Sequence, residues 1–141
     1  MAGFASVAED IRTALRASWT AAFPAVPIHF DGDPRASTQP DAEDEFIRAT
    51  ITEARSAHIP DIGSRTAWVH GLVIVQVFTQ AGLGDKRNRT LCDGVRNAFQ
   101  GLRHGEARFQ ATDRDSRGVS EDGRHLQANV TTRFRFESTA T

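Results

Sequence analysis

The residues able to do acid–base, metal or nucleophilic chemistry in this chain are few and scattered. Its five histidines, His29, His58, His70, His104 and His125, include no pair at the i, i+4 spacing that sets two imidazoles on one helical face for zinc. The single cysteine, Cys92, can neither close an internal disulfide nor build a cysteine cage. Its place on an apolar helical stripe predicts a buried, inert thiol. Asp31-Gly32-Asp33 begins like a calcium loop, but the further oxygen ligands and the closing glutamate are missing, so the segment reads as a turn. Ala81-Gly82-Leu83-Gly84-Asp85 lies between a strand pattern and a helix pattern, where phosphate-cradling loops occur. It has neither the third glycine of a dinucleotide fingerprint nor a GK[ST] ending, and reads as a tight turn. No G-x-S-x-G elbow is present. The acidic run Asp41-Ala42-Glu43-Asp44-Glu45 reads as a solvated loop. The expectation is a protein with no catalytic residues, no cofactor and no metal, and not an enzyme.

A different constellation stands out. Arg48, Arg108, Arg133 and Arg135 all fall at polar-face positions of strand patterns. If those strands are neighbours, one sheet face carries an arginine cluster, which reads either as a solvated face with scattered counter-charges or as a candidate subunit interface or channel wall near DNA phosphates. Arginine supplies 16 of the 17 basic residues, Lys86 being the only lysine. Its planar fork suits bidentate pairing at interfaces. The formal net charge of −1 argues against a dedicated nucleic-acid binder.

The elements that must position these residues read as follows. A helix is expected over Ser6–Ala22, because Phe4, Val7, Ile11, Leu15 and Trp19 recur on one face. Ser6 with Glu9 forms a capping-box pattern, and Pro24 stops the helix. A short strand follows at Ile28–Phe30, then a loop at Asp31–Asp44. Glu45–Ala54 alternates as a strand, and Ala67–Gln80 is apolar at both parities. The latter fits a central strand covered on both sides, one cover being a neighbouring subunit. Asp85 is placed to cap a second helix over Asp85–Gly101, striped by Leu91, Val95, Ala98, Phe99 and Leu102. Gly94 inside it suggests a close approach to the sheet. Strands are expected at Glu106–Thr112 and Arg124–Glu137. The segments Ala54–Thr66 and Asp113–Gly123 read as loops, mobile in the free subunit and ordered on assembly.

With 141 residues, 39% of them hydrophobic and 25% charged, the chain fits one domain, residues 1–141, with one core. That core should hold Ile11, Leu15, Ile47, Ile51, Val73, Val75, Val77, Leu91, Val95, Phe99, Phe109, Leu126, Val130 and Phe134. The fold class is α+β: a mostly antiparallel sheet of four to five strands with two helices packed on one face. No signal peptide or membrane span is evident, so a soluble protein of the cytoplasm is expected.

The block from Val73 through Val77-Phe78 and Ala81-Gly82-Leu83-Gly84 into a helix with Leu91, Val95 and Phe99 resembles the central block of phage tail terminator proteins, the small tail-terminator-like family of siphophages. The element order resembles that family over nearly the whole chain, and the local match runs from Val73 to Phe99. The resemblance implies a structural virion protein of the tail and neck, assembled in the host cytoplasm. It would form a hexameric ring that caps the tail tube, ends tail polymerisation and joins the tail to a head-side connector or stopper protein. DNA would pass non-specifically through the ring lumen. The family has no catalytic residues to carry over. Alternatives are another neck protein, such as a head-closure or connector component, a small hydrolase using His70 or His125, and a ligand-binding module.

Overall fold

The structure, a computed structural model, describes residues 3–31, 45–56, 66–120 and 123–139. The expected Asp31–Asp44 loop, with its acidic run, lies outside the described residues beyond Asp31 and before Glu45, as does the 57–65 part of the second loop. Along the chain come α1 (Phe4–Ala22), β1 (Ile28–Phe30), β2 (Phe46–Ser56), β3 (Thr66–Gln80), α2 (Lys86–Phe99), β4 (Arg103–His104), β5 (Ala107–Val119) and β6 (His125–Thr139). The strands form one six-stranded sheet in the order β1-β2-β3-β6-β5-β4. β1 runs parallel to β2, and every other pairing is antiparallel. The α+β class stands, with six strands in place of the four or five expected. The two-residue β4 carries no hydrophobic period that a sequence pattern could register.

Both helices lie on one side of the sheet. Val7, Ile11, Leu15 and Trp19 of α1 and Leu91, Val95, Ala98 and Phe99 of α2 form one cluster with Ile47, Ala49, Val73, Val75, Val77, Ala128, Val130, Phe134 and Phe136. These are the odd positions of β3 and the even positions of β6, which the register pairs directly, Val75 with Val130 and Val77 with Ala128. Strand side chains alternate in direction, so one parity of each strand builds the core. Of the expected core residues only Ile51 and Leu126 are half-buried, near the sheet margins, and the rest are buried. Leu102 is 45% exposed, because α2 stops at Phe99 and Gly101 turns the chain through φ +70.

Two glycines permit close packing. Gly71 faces Phe134 across the β3–β6 ladder. A Cβ there would stand 2.7 Å from the Phe134 ring and 2.8 Å from the Thr52 carbonyl oxygen, so the missing side chain leaves the place the ring fills. Gly94 marks a close approach to α1 and not, as expected, to the sheet: its Cβ would strike Phe23 and stand 3.2 Å from Trp19. The Trp19 indole also donates from Nε1 to the Val26 carbonyl at 3.0 Å, tying the end of α1 to the β1 approach.

Helix starts differ from expectation. α1 begins at Phe4 with Gly3 as its cap and no side-chain cap bond. Phe4 reaches the rings of Phe134 and Phe136 at 6.4 and 6.3 Å, and this apolar anchor extends the helix past Ser6. Glu9 meets Arg12 at 3.4 Å in place of a capping box. Asp85 occupies the cap position of α2 without capping it. Its carboxylate accepts from Arg89 Nε at 2.8 Å, and this bond holds the Asp85 pKa below the usual carboxylate value.

The expected Asp113–Gly123 loop is also corrected, since β5 continues as strand to Val119. β6 offers it a full-length ladder, and edge-strand hydrogen bonds outweigh a polar composition that water solvates on the outer side. Register shifts fall between Phe109 and Thr112 and between Ser116 and Gly118, as bulges do along sheet edges.

A buried polar junction holds α2 to the sheet. Asn88, with no exposed surface, donates from Nδ2 to the Leu126 carbonyl at 3.0 Å and to Thr79 Oγ1 at 3.2 Å. Its Oδ1 accepts from Arg114 Nη2 at 3.1 Å and from Cys92 Sγ at 3.5 Å. One side chain thereby connects α2, β3, β5 and β6. Such a group is costly to remove because its former partners stay buried. Asn88→Ala should lower stability by about 1–3 kcal/mol, and Gly94→Ala by about 1–3 kcal/mol through overpacking against Trp19. Phe99→Ala should cost about 3–5 kcal/mol. Urea midpoints of the three variants check these values, and an unchanged midpoint for Phe99→Ala contradicts the core assignment.

Candidate functional site

No convergent nucleophile, base and orienting group forms among the described residues. His70 pairs in register with Arg135 and His125 with Gln80. They share one face of the sheet but sit ten residues apart along β3, about 33 Å at strand rise, so they serve no common site. His125 and His29 instead join Phe46 and Phe78 in an aromatic cluster. Phe46 and Phe78 stack at 4.4 Å, His125 meets both edge-on, and His29 lies 5.8 Å from Phe46. His104 lies with Nε2 2.7 Å from the Ala98 carbonyl, its ring edge-on to Phe99 and Phe109. Among the described residues, no three His, Cys, Asp or Glu side chains gather as a metal site. Cys92 is buried, and burial pushes its thiol pKa up, which withholds the reactive thiolate. The Gly82 and Gly84 turn adopts positive φ at both glycines and presents Leu83, 73% exposed, to solvent.

The feature with geometry is the sheet face opposite the helices. Even positions of β3 line it: Trp68, His70, Leu72, Ile74, Gln76 and Phe78 are all half-buried, whereas Val69, Val73, Val75 and Val77 beneath the helices are buried. No described helix covers this face. Register places all four expected arginines on it, because Arg48 opposes Gln76, Arg133 opposes Leu72 and Arg135 opposes His70, and Arg108 opposes Arg135. Arg108, Arg133 and Arg135 come together at one end. Arg48 does not join them, standing with Gln76 six residues along β3 from His70.

Register also completes a row that parity alone missed. Arg103 of β4 opposes Arg108 of β5, Arg108 opposes Arg135 of β6, and Arg135 opposes His70 of β3. Directly opposed residues of an antiparallel pair share a face. Trp68 lies beside this row, with the guanidinium carbons of Arg135 and Arg108 over its ring at 4.8 and 6.0 Å. The cation–π contacts hold two like charges side by side on one indole. The described ion pairs lie elsewhere: Arg12–Glu9, Arg87–Glu45, Arg89–Asp85, Arg96–Asp93 and Arg117–Asp115. Among the described residues none of Arg103, Arg108, Arg133 and Arg135 makes one.

The described residues include no helix long and apolar enough to cross a membrane. No family model matches the chain, and no curated protein matches it. Solved structures do share the fold. One, known by a sequence identifier alone, superposes with a TM-score of 0.63 at 16% identity over 94% of this chain and 97% of its own. Another belongs to the virion of a native gene transfer agent particle, with a TM-score of 0.59 at 18% identity over 91% of this chain and 92% of its own. At such identity the likeness is one of fold, and it spans nearly the whole of both chains.

Proposed function

We propose that this chain is a structural protein of a phage-type virion, and that it works as the ring-forming tail terminator that caps the tail tube and joins it to the head-side connector. The observation that carries the reading is a nearly full-length fold match to a chain of a gene transfer agent virion. The element order and the strand–turn–helix block from Val73 to Phe99 support it from the sequence side. In this reading the protein turns over no substrate.

The helix-free face supplies a physical motive for assembly. Leu72 and Ile74 lie half-buried along the middle of that face, flanked across the ladders by Thr52 and Arg133 and by Thr50 and Thr131. An apolar stripe with a polar rim is the pattern of an interaction surface. A repeated head-to-tail contact would bury it in every subunit and close a ring.

Two measurements test the proposal. Light scattering on the purified chain should give the mass of six copies, and Leu72→Asp with Ile74→Asp should return it to one copy with the far-ultraviolet circular dichroism unchanged. A monomeric native chain at working concentration, or a double variant that keeps the native mass, counts against the ring. In the parent phage, loss of the gene should give tails of uncontrolled length, and normal tails without it would refute the terminator assignment.

A further inference from the structure

We propose that the transverse basic row on the helix-free face binds the phosphate backbone of nucleic acid. The inference stands on the row itself and does not depend on ring formation.

The row consists of Arg103, Arg108, Arg135 and His70 in direct register on four adjacent strands, with Arg133 one pleat further along β6 on the same face. Neighbouring strands are about 4.8 Å apart, so the four positions span about 14 Å. Like charges directly opposite one another destabilise a sheet, and nothing in the core requires arginine here, since Arg103, Arg108, Arg133 and Arg135 are all exposed. Five arginines away from this row have carboxylate partners at 2.8 to 4.0 Å. These four have none among the described residues. Glu137, opposite Trp68, and Asp113, opposite Thr131, are carboxylates on the same face, and no described ion pair includes either. Among the described residues Arg108, Arg133 and Arg135 thus meet no carboxylate, while Arg103 donates from Nε to the Gly105 carbonyl at 3.0 Å, and this exposed positive cluster suits an anionic ligand.

Its shape points to a linear polyanion. Arg103, Arg108 and Arg135 occupy opposed positions on successive strands, a placement that matches an acceptor whose charges recur along a line. Charges recur at about 3.4 Å of helix axis along each strand of a duplex and the path between neighbouring phosphates is about twice that, so about three of them span the row. Trp68 braces Arg108 and Arg135 from beneath, which lowers the entropy lost when their forks engage phosphate oxygens. No side chain of the row is arranged to read base edges, so binding is to the backbone and independent of sequence.

The test is fluorescence anisotropy of a short labelled DNA duplex titrated with the full chain between about 50 and 200 mM salt. Three phosphate contacts predict a log–log salt slope near −2.7, at about −0.9 for each contact. Arg108→Ala with Arg135→Ala should flatten the slope by about 1.8 and weaken binding at least about tenfold. Arg108→Lys with Arg135→Lys should retain most of the affinity, because a phosphate accepts a point charge. Arg12→Ala, on the helix side, should bind as the native chain does. The alanine pair should denature at the native midpoint or above it, since it relieves repulsion, so lost binding cannot be ascribed to unfolding. Absence of binding at the lowest salt, or native affinity and slope in the alanine pair, would overturn the proposal. So would polyglutamate displacing the protein as effectively as unlabelled duplex, which would assign the row to a carboxylate-rich protein surface.

Discussion

The two described helices lie on one face of the six-stranded sheet, and much of the described structure follows from that one-sidedness. α1 and α2 supply one layer of apolar side chains, and the odd positions of β3 with the even positions of β6 accept it. Gly71 and Gly94 are the places where that single layer is packed most tightly, one beneath the Phe134 ring and the other against Trp19 and Phe23. No described helix covers the remaining face, where Phe46 and His125 are buried and Leu72, Ile74 and Phe78 are half-buried. It has an apolar middle at Leu72 and Ile74 and a basic end at Arg103, Arg108 and Arg135. The polar junction at Asn88 fits the same frame. It ties α2 to three strands at once.

Much of this was legible in the residues. The stripes of the two helices and the alternation of Ile47, Ala49 and Ile51, and of Ala128, Val130, Phe134 and Phe136, assign the covered face correctly, because burial is periodic wherever only one side is dry. The double-sided apolar character of β3 separates a buried parity from a half-buried one, a distinction that composition could not make, since Val73 and Ile74 are equally apolar. Polar composition misled at β5. Residues such as Asp113, Asp115 and Ser116 suggest a loop, yet their ladder with β6 is set by backbone pairing and not by side-chain apolarity. Cap signals misled at Ser6 and Asp85, where an apolar anchor at Phe4 and an ion pair with Arg89 took precedence.

The candidate site was half legible. Strand parity placed Arg48, Arg108, Arg133 and Arg135 on the correct face, but parity carries no register. Register moves Arg48 to the far part of the sheet and brings in Arg103 and His70. Trp68 was seen only as an apolar residue, although the arginines over its ring make it part of the basic row. Asn88 gave no signal, because a lone asparagine inside a helix reads as an exposed polar residue until the strands behind it are known.

The central claim is that the helix-free face is the surface this protein uses in assembly. Hydroxyl-radical footprinting read by mass spectrometry, on the isolated subunit and on the assembled particle, tests it directly. Trp68, Leu72 and Phe78 should be oxidised in the subunit and protected in the particle, while Leu102, exposed on the other side of the molecule's β4 approach, should keep more of its reactivity. Equal oxidation of Trp68, Leu72 and Phe78 in both states would contradict the account.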